Sequence, residues 1–442
     1  MKNKILLKRE GTAYFLRSLD FLFFPEKESE LFAILPKNSE EGRIAIKELF
    51  LKNILLIELE KTKKNFSEMG VEEIIKHSNL TQKLKEFKIN CLFIKNSSNY
   101  LKKWSLKNKI ILFVSSYRLR EKFENKIYFE RFLRKIKIFK AKSKILNSET
   151  EKMPFPKTVL QVPNSSGGEG TFIVESKEIL KKILKKLKLP VLAREYQEGI
   201  PLGVSLFIAK RKIYFSAINR QCLYQTKEKN RLGFFRGIQW LPYSFFSFKI
   251  YNKIRESLLK IGQEIKKTGL MGLINLDFVL DKDNKIYFLE CNPRSTAATP
   301  QIITVKEING NISFLKLFLN QYCNKKYFIG SQKLLPKNVF IGSQMVVEFP
   351  PSVVFPKKIK NVIKGGFFVI EGKGLKKIKL KNRLDFLKLK NGLFFYNETS
   401  EGEIYRKKVD TGTLLSNFPL YNLKTGSLNK SGELVYNFFY RF

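Results

Sequence analysis

Histidine is almost absent from this chain of 442 residues, which has one, His77. A single histidine excludes histidine-based catalytic triads and zinc centres with several histidine ligands. We expect His77, in the stretch IIKHSNL, to lie at the end of a helix. The chemistry that remains depends on lysine, arginine, backbone amides and a hard cation. Phosphoryl transfer is of that kind, because positioning and charge neutralisation do most of its work.

Cysteines are few and scattered, and long apolar runs are missing. The four cysteines lack the spacing of a metal site or a disulfide framework: Cys91, Cys222, Cys291 and Cys323. This usage favours a reducing compartment and predicts a cytoplasmic protein. Charged residues interrupt the stretch MKNKILLKREGTAYFLRSLDFLFF. We therefore expect no secretory signal and no membrane span.

Acidic residues are scarce relative to basic ones, since 83 Lys and Arg stand against 40 Asp and Glu, a formal charge of +43. Such a surface attracts polyanions, which makes nucleic acid an alternative partner. A genome rich in A and T would also produce many lysines, asparagines, isoleucines and phenylalanines. That explanation is the preferred one, although it does not account for the shortage of acids.

The length predicts two or three domains. Residues 1–120 alternate short apolar runs such as FAILP and ILLIELE with polar helical stretches, as in an α/β, Rossmann-like domain with a mostly parallel sheet. Residues 121–330 contain the candidate chemistry and begin with one basic amphipathic helix followed by a polar linker. Residues 331–442 predict a β-rich C-terminal module of short strands and Gly or Asn turns. The predicted fold class is α/β and α+β, multidomain.

The stretch INLDFVLDKDNKIYFLECNPR predicts a β-hairpin, because two alternating runs of β-formers flank the turn segment DKDNK. With the turn as centre, Asp277 falls opposite Glu290, and period two puts Asn292 on the face of Glu290. Directly opposed carboxylates destabilise a ladder unless something neutralises them. Mg²⁺ would do so, since it takes carboxylate and amide oxygens together with substrate phosphates. From spacing alone, a solvated hairpin with outward acids is the alternative.

A second motif, FPKTVLQVPNSSGGEGTFIV, predicts a strand, a Ser/Gly loop and another strand. Its glycines permit conformations that aim successive N–H groups at one anion, and its hydroxyls add donors. The loop residues concerned are Ser165, Ser166, Gly167, Gly168, Gly170 and Thr171. It is not a Walker A loop, because Gly-Lys-Ser/Thr and a following helix pattern are missing. Taken alone, a flexible surface turn is the alternative.

Between the two motifs, VLAREYQEGIPLGVSLFIAKRKIYFSAINRQ predicts a strand, a glycine-containing turn and two further strands. The segment REYQEG would offer free backbone donors and acceptors to an adenine edge, with Glu195 or Glu198 near its amino or ribose groups. An ordinary turn at a strand edge is the alternative.

In this order, ENKIYFERFL, the Ser/Gly loop, REYQEG and GLINLDFVLDKDNKIYFLECNPRST resemble the ATP-grasp superfamily of carboxylate-amine ligases. The resemblance covers about residues 120–325, and residues 1–120 resemble a family-type N-terminal domain. It implies ATP and two Mg²⁺ ions, with Mn²⁺ as an alternative. Asp277, Glu290 and Asn292 match the family's metal ligands. Arg294 matches an arginine that assists the transferred phosphoryl group.

The resemblance also implies nucleotide contacts. Lys126 matches a lysine that contacts ATP phosphates, and the Ser/Gly loop would close over the β- and γ-phosphates. Glu195 and Tyr196 lie where the family holds adenine. One position departs from the pattern, since Gln161 stands where a phosphate-contacting lysine is usual. Gln161 could still donate hydrogen bonds, with part of the neutralisation from other cations: Lys126, Lys157, Arg220 or Arg236.

The implied activity joins a small-molecule carboxylate to an amine through an acyl phosphate made with ATP. A non-catalytic ATP-binding protein is one alternative, prompted by Gln161. A basic nucleic-acid-binding protein is the other, prompted by the charge. The identity of the two substrates and the oligomeric state stay open at this point.

Overall fold

The computed structural model describes residues 13–16, 32–36, 44, 54–57, 69–77, 79–165, 167–168, 170–224, 233–322, 328, 341–348, 354–358, 363–380, 383–397, 399, 402, 404–405 and 410–439. The chain divides into two compact units. The first consists of Met1–Val114, Ile238–Trp240 and Ala297–Phe442, and the second of Ser115–Gly237 and Leu241–Thr296. Because the first and last parts of the chain share a unit, the division into 1–120, 121–330 and 331–442 stays a prediction.

The N-terminal part of the first unit contains a parallel sheet. Its strands are β1 (Ala13–Leu16), β2 (Phe32–Pro36), β3 (Ile54–Ile57), β4 (Cys91–Phe93) and β5 (Ile111–Phe113). They lie in the order β3-β2-β1-β4-β5, and each pairing is parallel. The predicted α/β character of this region is confirmed.

Three described helices accompany this sheet: α1 (Val71–His77), α2 (Leu80–Glu86) and α3 (Asn99–Asn108). Helix α1 ends at His77, as predicted. The Ser98 hydroxyl begins α3 by accepting a hydrogen bond from the Leu101 N–H at 3.1 Å. Leu84, Leu92 and Trp104 belong to one buried apolar cluster. Burial of this cluster stabilises the region.

The second unit begins with two helices and a small sheet. Its elements are α4 (Tyr117–Glu124), α5 (Lys126–Lys135), β6 (Ser143–Leu146), β7 (Thr158–Gln161), β8 (Thr171–Val174), α6 (Lys177–Leu184) and β9 (Val191–Glu195). The strands form an antiparallel sheet in the order β6-β9-β7-β8. Leu180 and Leu184 of α6 pack into its core. The predicted hairpin around the Ser/Gly loop is β7–β8.

The basic stretch after residue 121 is not one helix, which corrects the prediction. Helix α4 ends at Glu124, and the extended Asn125 begins α5 by accepting a hydrogen bond from the Tyr128 N–H at 3.0 Å. Asparagine is favoured there because its side chain satisfies an N–H that has no partner within the helix. The expected polar linker also contains a strand, β6. The break makes Lys126 the first residue of α5.

A larger sheet follows, built from β10 (Gly199–Ile208), β11 (Ile213–Tyr224), β12 (Phe234–Trp240), β13 (Gly272–Asp281) and β14 (Ile286–Asn292), with α7 (Phe248–Lys267) between β12 and β13. These elements belong to the second unit, except for Ile238–Trp240 of β12. The strand order is β14-β13-β10-β11-β12. Strand β10 is antiparallel to β11 and to β13, and β13 is antiparallel to β14. The predicted strands after β9 and the predicted hairpin are confirmed.

This sheet has an apolar face and a face of small and polar residues. Helix α7 covers the apolar face with buried residues at helical spacing, among them Ile254, Leu258 and Ile261. A Cβ on Gly262 would lie 3.1 Å from Leu206 Cδ2, so the helix approaches β10 closely. The opposite face carries one pair from each of four strands: Gly203 and Ser205, Asn219 and Gln221, Asn275 and Asp277, and Glu290 and Asn292.

The C-terminal part of the first unit is rich in strands, as predicted. Its elements are α8 (Thr299–Thr304), α9 (Phe314–Tyr322), β15 (Ser343–Glu348), β16 (Lys357–Lys358), β17 (Gly366–Glu371), β18 (Gly374–Ile378), β19 (Gly392–Asn397), β20 (Ile404–Tyr405), β21 (Asp410–Ser416) and α10 (Lys430–Phe439). Antiparallel strands follow the order β15-β21-β19-β17-β18. Phe439 of α10 packs on Phe395, with ring centroids 4.2 Å apart.

No helix within the described ranges has the length and apolar composition needed to cross a membrane.

Candidate active site

Asp277 and Glu290 are cross-strand neighbours in the β13–β14 hairpin, as predicted. Near the turn, Leu280 pairs with Ile286, a register that by itself would put Leu289 opposite Asp277. A shift of register at Leu289 adds one residue to β14 and brings Glu290 opposite Asp277. The facing carboxylates therefore depend on a β-bulge.

Three amides hold the carboxylate of Asp277, which is 8% exposed. Asn275 Nδ2 and Gln221 Nε2 donate to its Oδ1 at 2.7 and 2.6 Å. Asn292 Nδ2 donates to Asp277 Oδ2 at 3.1 Å and to Glu290 Oε1 at 3.0 Å. The three predicted metal ligands thus form one hydrogen-bonded cluster.

Lys126 is the cation of this cluster and is 3% exposed. Its Nζ lies 3.0 Å from Glu290 Oε2 and donates to the Ser165 carbonyl at 2.6 Å. The Lys126 backbone N–H donates to the Pro163 carbonyl at 3.0 Å. Lys126 therefore joins the carboxylate pair to the start of the Ser/Gly loop.

The two carboxylates are perturbed in opposite directions. Burial, and after it the charge of Glu290, raises the pKa of Asp277 well above its ordinary value. Burial would also raise the pKa of Glu290, but the Lys126 ammonium and several hydrogen bonds outweigh it and lower that pKa to about 2. Two buried carboxylates this close cannot both ionise cheaply without a further positive charge.

Arg294 lies beside Asn292 and is held from α4. Its Nε donates to Glu124 Oε1 at 2.7 Å, and its Nη2 donates to Asn292 Oδ1 at 3.3 Å. Glu124 also pairs with Arg120 at 2.8 Å. The guanidinium is thus fixed at the end of the hairpin, next to the carboxylate cluster.

The Ser/Gly loop is compact. Gly167 and Gly168 have φ of +64° and +86°, in the left-handed region that favours glycine. A Cβ on Gly170 would lie 2.3 Å from Ser165 Oγ and 2.9 Å from Val162 Cβ, so a larger residue has no room there. The loop conformation therefore requires glycine for two different reasons.

Two polar groups of the loop have hydrogen-bond partners between β7 and β8, and the role of the loop residues in phosphate binding stays a prediction. Ser165 Oγ donates to the Val162 carbonyl at 3.0 Å, and the Thr171 N–H donates to the Gly168 carbonyl at 3.0 Å. Both bonds close the tight turn between β7 and β8. Ser166 lies outside the described residues.

Gln161 lies in a buried charged cluster that the sequence did not indicate. Its Oε1 accepts a hydrogen bond from Arg194 Nη1. Arg194, 2% exposed, also contacts Glu130 Oε2 at 3.0 Å and donates Nη2 to the carbonyl of the bulge residue Leu289 at 2.9 Å. Lys140 Nζ lies 2.5 Å from Glu130 Oε1. Two cations against one carboxylate leave one positive charge in excess beside Gln161.

Lys157 and Arg220, two of the cations predicted to help neutralise the phosphates, have contacts or directions of their own. Lys157 is half exposed, pairs with Glu175 at 2.9 Å and lies over the Tyr196 ring at 4.4 Å. Arg220 pairs with Leu202 and so points away from the face of Asp277. Arg194 is a buried cation in direct contact with Gln161, and the contribution of the predicted cations to phosphate binding stays a prediction.

Glu195 and Tyr196 do not offer the free N–H groups that were expected. The Glu195 N–H donates to the Lys142 carbonyl and the Tyr196 N–H to the Lys157 carbonyl, both at 2.9 Å. The reason is that β9 lies between β6 and β7, and its last residues extend the ladder on both sides. Glu195 and Tyr196 keep their place at the end of β9, but not as backbone donors.

Sequence reasoning missed four supporting residues. Asn275 could have been found, because it lies two residues before Asp277 and period two puts both on one face. Gln221 needs the register of β11 on β10, which the sequence leaves open. Arg194 and Glu124 reach the site only through tertiary contacts.

The donor set suits a hard divalent cation. Asp277, Glu290 and Asn292 supply carboxylate and amide oxygens, and Mg²⁺ bound in this way keeps positions for water and phosphate. Among the residues that the structure describes, no three His, Cys, Asp or Glu side chains form a metal-binding group. Two acids and an amide fit an ion shared with a phosphate substrate better than a fully protein-bound one.

Residues 123–298 match the family described as the ATP-grasp domain, a span that includes every predicted site residue. The chain is 24% identical over 163 residues to the butirosin acyl-carrier protein–L-glutamate ligase of Niallia circulans, a match covering 35% of this chain and 37% of the relative. It is 31% identical over 111 residues to the carbamoyl phosphate synthase large chain of Buchnera aphidicola, covering 23% of this chain and 10% of the relative. The chain thus spans well under two thirds of these curated relatives.

The fold is similar to that of phosphoribosylamine–glycine ligase from Thermotoga maritima, with a TM-score of 0.60 and 15% identity. The likeness covers 96% of each of the two chains. The Ser/Gly hairpin and the facing carboxylates both lie within residues 123–298, the span that matches the family. Residues 123–298 of this chain thus match the ATP-grasp domain family, and the likeness of fold agrees with that match.

Proposed function

We propose that the chain is an ATP- and magnesium-dependent ligase that joins a carboxylate to an amine through an acyl phosphate. One arrangement carries the proposal: Asp277 and Glu290 face each other, and the buried Lys126 binds both Glu290 and the Ser/Gly loop. Such a site brings a cation-binding pair next to a loop suited to phosphate. The names of the relatives support it, since one is an L-glutamate ligase.

In the proposed reaction, an oxygen of the substrate carboxylate attacks the γ-phosphorus of ATP. The bond from that phosphorus to the β-phosphate oxygen breaks, and ADP leaves. The amine nitrogen then attacks the acyl carbon, the carbon–oxygen bond to phosphate breaks, and the nitrogen loses a proton. The protein contributes mainly positioning and charge stabilisation to both steps.

Lys126, Gln161 and the Ser/Gly loop from Ser165 to Thr171 would bind the triphosphate. Lys126 brings a buried ammonium to the loop. Because Gln161 Oε1 accepts from Arg194, its amide hydrogens are left to donate to a phosphate oxygen. The positive charge that a lysine at 161 would carry is supplied one side chain deeper, by Arg194. Glu195 and Tyr196 would meet the adenine through side chains or carbonyl groups.

Asp277, Glu290 and Asn292 would hold Mg²⁺, as two ions, with Mn²⁺ as the alternative. The metal would neutralise phosphate charge and orient the transferred group. Arg294 would stabilise the charge on the phosphoryl group as it moves, with Glu124 fixing the guanidinium beside Asn292. The pKa of Glu290, lowered to about 2, keeps that ligand ionised at neutral pH.

The direct test is a screen for ADP release with Mg-ATP against pools of amino acids and other small carboxylic acids, with amines added and product masses recorded. We expect ADP release that depends on one carboxylate, and a product heavier than that acid by the amine minus water. Stabilisation by Mg-ATP without ADP release from any pool would identify a non-catalytic ATP binder instead.

The matched variants are Asp277→Asn and Asp283→Asn, which make the same change in the strand and at the exposed turn of one hairpin. Loss of one charge-stabilising contact costs about 3 kcal/mol in the barrier, or about 10²-fold in rate. We expect that loss for Asp277→Asn and the parental rate for Asp283→Asn. Parental turnover by Asp277→Asn would show that the metal assignment is wrong.

A further inference from the structure

Asn219 has a buried amide with no hydrogen-bond partner for its Nδ2 among the described residues, although the residue is 2% exposed. An unsatisfied buried donor costs about 1–3 kcal/mol, so native proteins rarely retain one without a use for it. The Asn219 amide lies on the same sheet face as the carboxylate cluster. This position makes a bound ligand the natural partner of the donor.

Register places Asn219 in a row with the proposed metal ligands. Gly203 of β10 pairs with Asn219 on one side and with Asp277 on the other, and Asp277 pairs with Glu290. Asn219, Gly203, Asp277 and Glu290 therefore follow one another across β11, β10, β13 and β14. Side chains at paired positions point to the same face.

The glycine in this row leaves a gap between two polar side chains. A Cβ on Gly203 would lie 3.0 Å from Asn219 Oδ1, 3.5 Å from Asn219 Nδ2 and 3.3 Å from Asp277 Oδ1. The amide and the carboxylate thus lean over the same small space. A ligand oxygen above Gly203 would be within reach of the Asn219 donor and next to a cation held by Asp277.

The two ends of the row lie next to different parts of the proposed site. On the side of Glu290, Lys126 connects the cluster to the Ser/Gly loop, which is the side proposed for the nucleotide phosphates. Asn219 lies on the other side of Asp277. The backbones of these two residues are two strands apart, or about 10 Å, because neighbouring strands are spaced by ~4.8 Å. A ligand bound by Asn219 would lie beyond the phosphates and next to the cation. In the proposed reaction the attacking carboxylate must occupy that position.

We propose that Asn219 binds the carboxylate substrate, by donating from Nδ2 to a carboxylate oxygen above Gly203. The inference rests on the proposed function, which supplies the cation that offsets the negative charge of Asp277. A neutral donor suits this place, because it holds the carboxylate without the tight ion pair that a lysine would make with Asp277.

The experiment measures acetate, the smallest carboxylate probe, by ligand-detected NMR with the full chain. Titrations are made with MgCl₂ alone and with Mg-AMP-PNP, on the parent, Asn219→Ala, Asn219→Asp and the exposed control Asn147→Ala. We expect Asn219→Ala to weaken acetate binding about tenfold, since one hydrogen bond to a charged group is lost. Asn219→Asp should abolish it through charge repulsion, and Asn147→Ala should behave as the parent.

A second readout separates binding from a structural role. Because Asn219→Ala removes an unsatisfied buried group, we expect its melting temperature to equal or exceed that of the parent. Calorimetric affinity for Mg-AMP-PNP should be unchanged in this variant. A marked loss of stability, or of nucleotide affinity, would overturn the role in carboxylate binding.

The outcomes for the two proposals differ. Failure of the parent to bind Mg-AMP-PNP counts against the ligase function, whatever acetate does. Equal acetate affinity in the parent and Asn219→Ala, or no acetate binding by the parent in either titration, overturns the assignment of Asn219 and leaves the ligase function standing.

Discussion

Asp277 and Glu290 face each other, yet of these two only Glu290 forms an ion pair among the residues that the structure describes. Lys126 compensates the charge of Glu290, whereas Asp277 is held by neutral amides and has its pKa raised by burial and by Glu290. We therefore expect removal of the Asp277 charge and removal of the Glu290 charge to change the stability of the metal-free protein differently. This effect distinguishes Asp277 from Glu290, although the proposed metal binding assigns both carboxylates the same role.

We predict opposite stability changes for two conservative variants measured without divalent cations. Asp277→Asn removes a repelled carboxylate and should leave the free energy of unfolding unchanged or higher. Glu290→Gln leaves the Lys126 ammonium buried beside a neutral group, which typically costs about 3–5 kcal/mol. Urea unfolding in EDTA checks both values. Equal destabilisation by the two variants would contradict the assignment of Lys126 to Glu290.

Glu130 allows a prediction of pH dependence away from the proposed metal ligands. Burial would raise the pKa of Glu130, but Arg194 and Lys140 outweigh it and lower the pKa below the ordinary 4.5. A carboxylate with a lowered folded-state pKa stabilises the protein above its unfolded pKa, and that stability is lost as the pH falls through the folded value.

We therefore expect Glu130→Gln to destabilise the protein by about 3 kcal/mol at pH 7, because Arg194 and Lys140 lose their buried partner. The difference from the parent should shrink as the pH falls below 4.5, the ordinary value of this group. Urea unfolding at a series of pH values measures it. Glu151→Gln, at an acid on the surface with its own lysine partner, is the control. A difference between parent and Glu130→Gln that does not change with pH would show that Glu130 is not charged in the folded state.

At the scale of elements, the β7–β8 hairpin is defined by how closely its loop packs. Gly170 approaches Ser165 and Val162 so closely that no side chain fits between them. The loop that is proposed to cover the phosphates is thereby tied to the strand ends, and its start is held by Lys126. Loop shape and phosphate affinity should change together.

Gly170→Ala should destabilise the protein by about 1–3 kcal/mol, the usual range for overpacking, and should weaken Mg-AMP-PNP binding. Ser165→Gly removes the two atoms that the new methyl group would meet first, at 2.3 and 2.4 Å. The double variant Ser165→Gly, Gly170→Ala should therefore recover part of both losses. Thermal unfolding and calorimetry measure the two effects. Additive losses in the double variant would show that the methyl group acts elsewhere.

At the scale of the whole molecule, the net charge of +43 has to be distinguished from the charges of the candidate site. The site cations Lys126 and Arg194 are buried and paired, with 3% and 2% of their surface exposed. Salt screens exposed charges strongly and buried pairs much less. We therefore expect the exposed lysines to determine any polyanion binding, and the proposed site to determine nucleotide binding.

We expect heparin retention to fall steeply between 0.1 and 0.5 M NaCl, by the counterion release typical of basic surfaces. Calorimetric affinity for Mg-AMP-PNP should fall by less than about tenfold over the same range. A parallel collapse of both would mean that the nucleotide binds to exposed lysines. That result would favour the nucleic-acid-binding alternative over the ligase.

Much of the fold could be predicted because its signals are local. Alternating apolar runs indicated the parallel sheet of the N-terminal region and the hairpins of the middle region. The helix break at Asn125 was missed, because a capping asparagine inside a continuous amphipathic pattern looks like an ordinary helix residue. The occupied N–H groups of Glu195 and Tyr196 were missed because they depend on β6 and β7 flanking β9.

By itself, the sequence determined which residue types are available and which of them share a face, because side-chain direction follows the period of the strand. That was enough for Asp277, Glu290 and Asn292, which lie within one hairpin. Only the tertiary structure decided that a bulge at Leu289 sets their register, that Lys126 and Arg194 compensate the buried charge, and that Asn219 lies in the same row. Lys126, Arg194 and Asn219 come from segments far from the hairpin in the chain, and Arg194 also holds the carbonyl of the bulge residue. The energies that bring these segments together are absent from any local stretch.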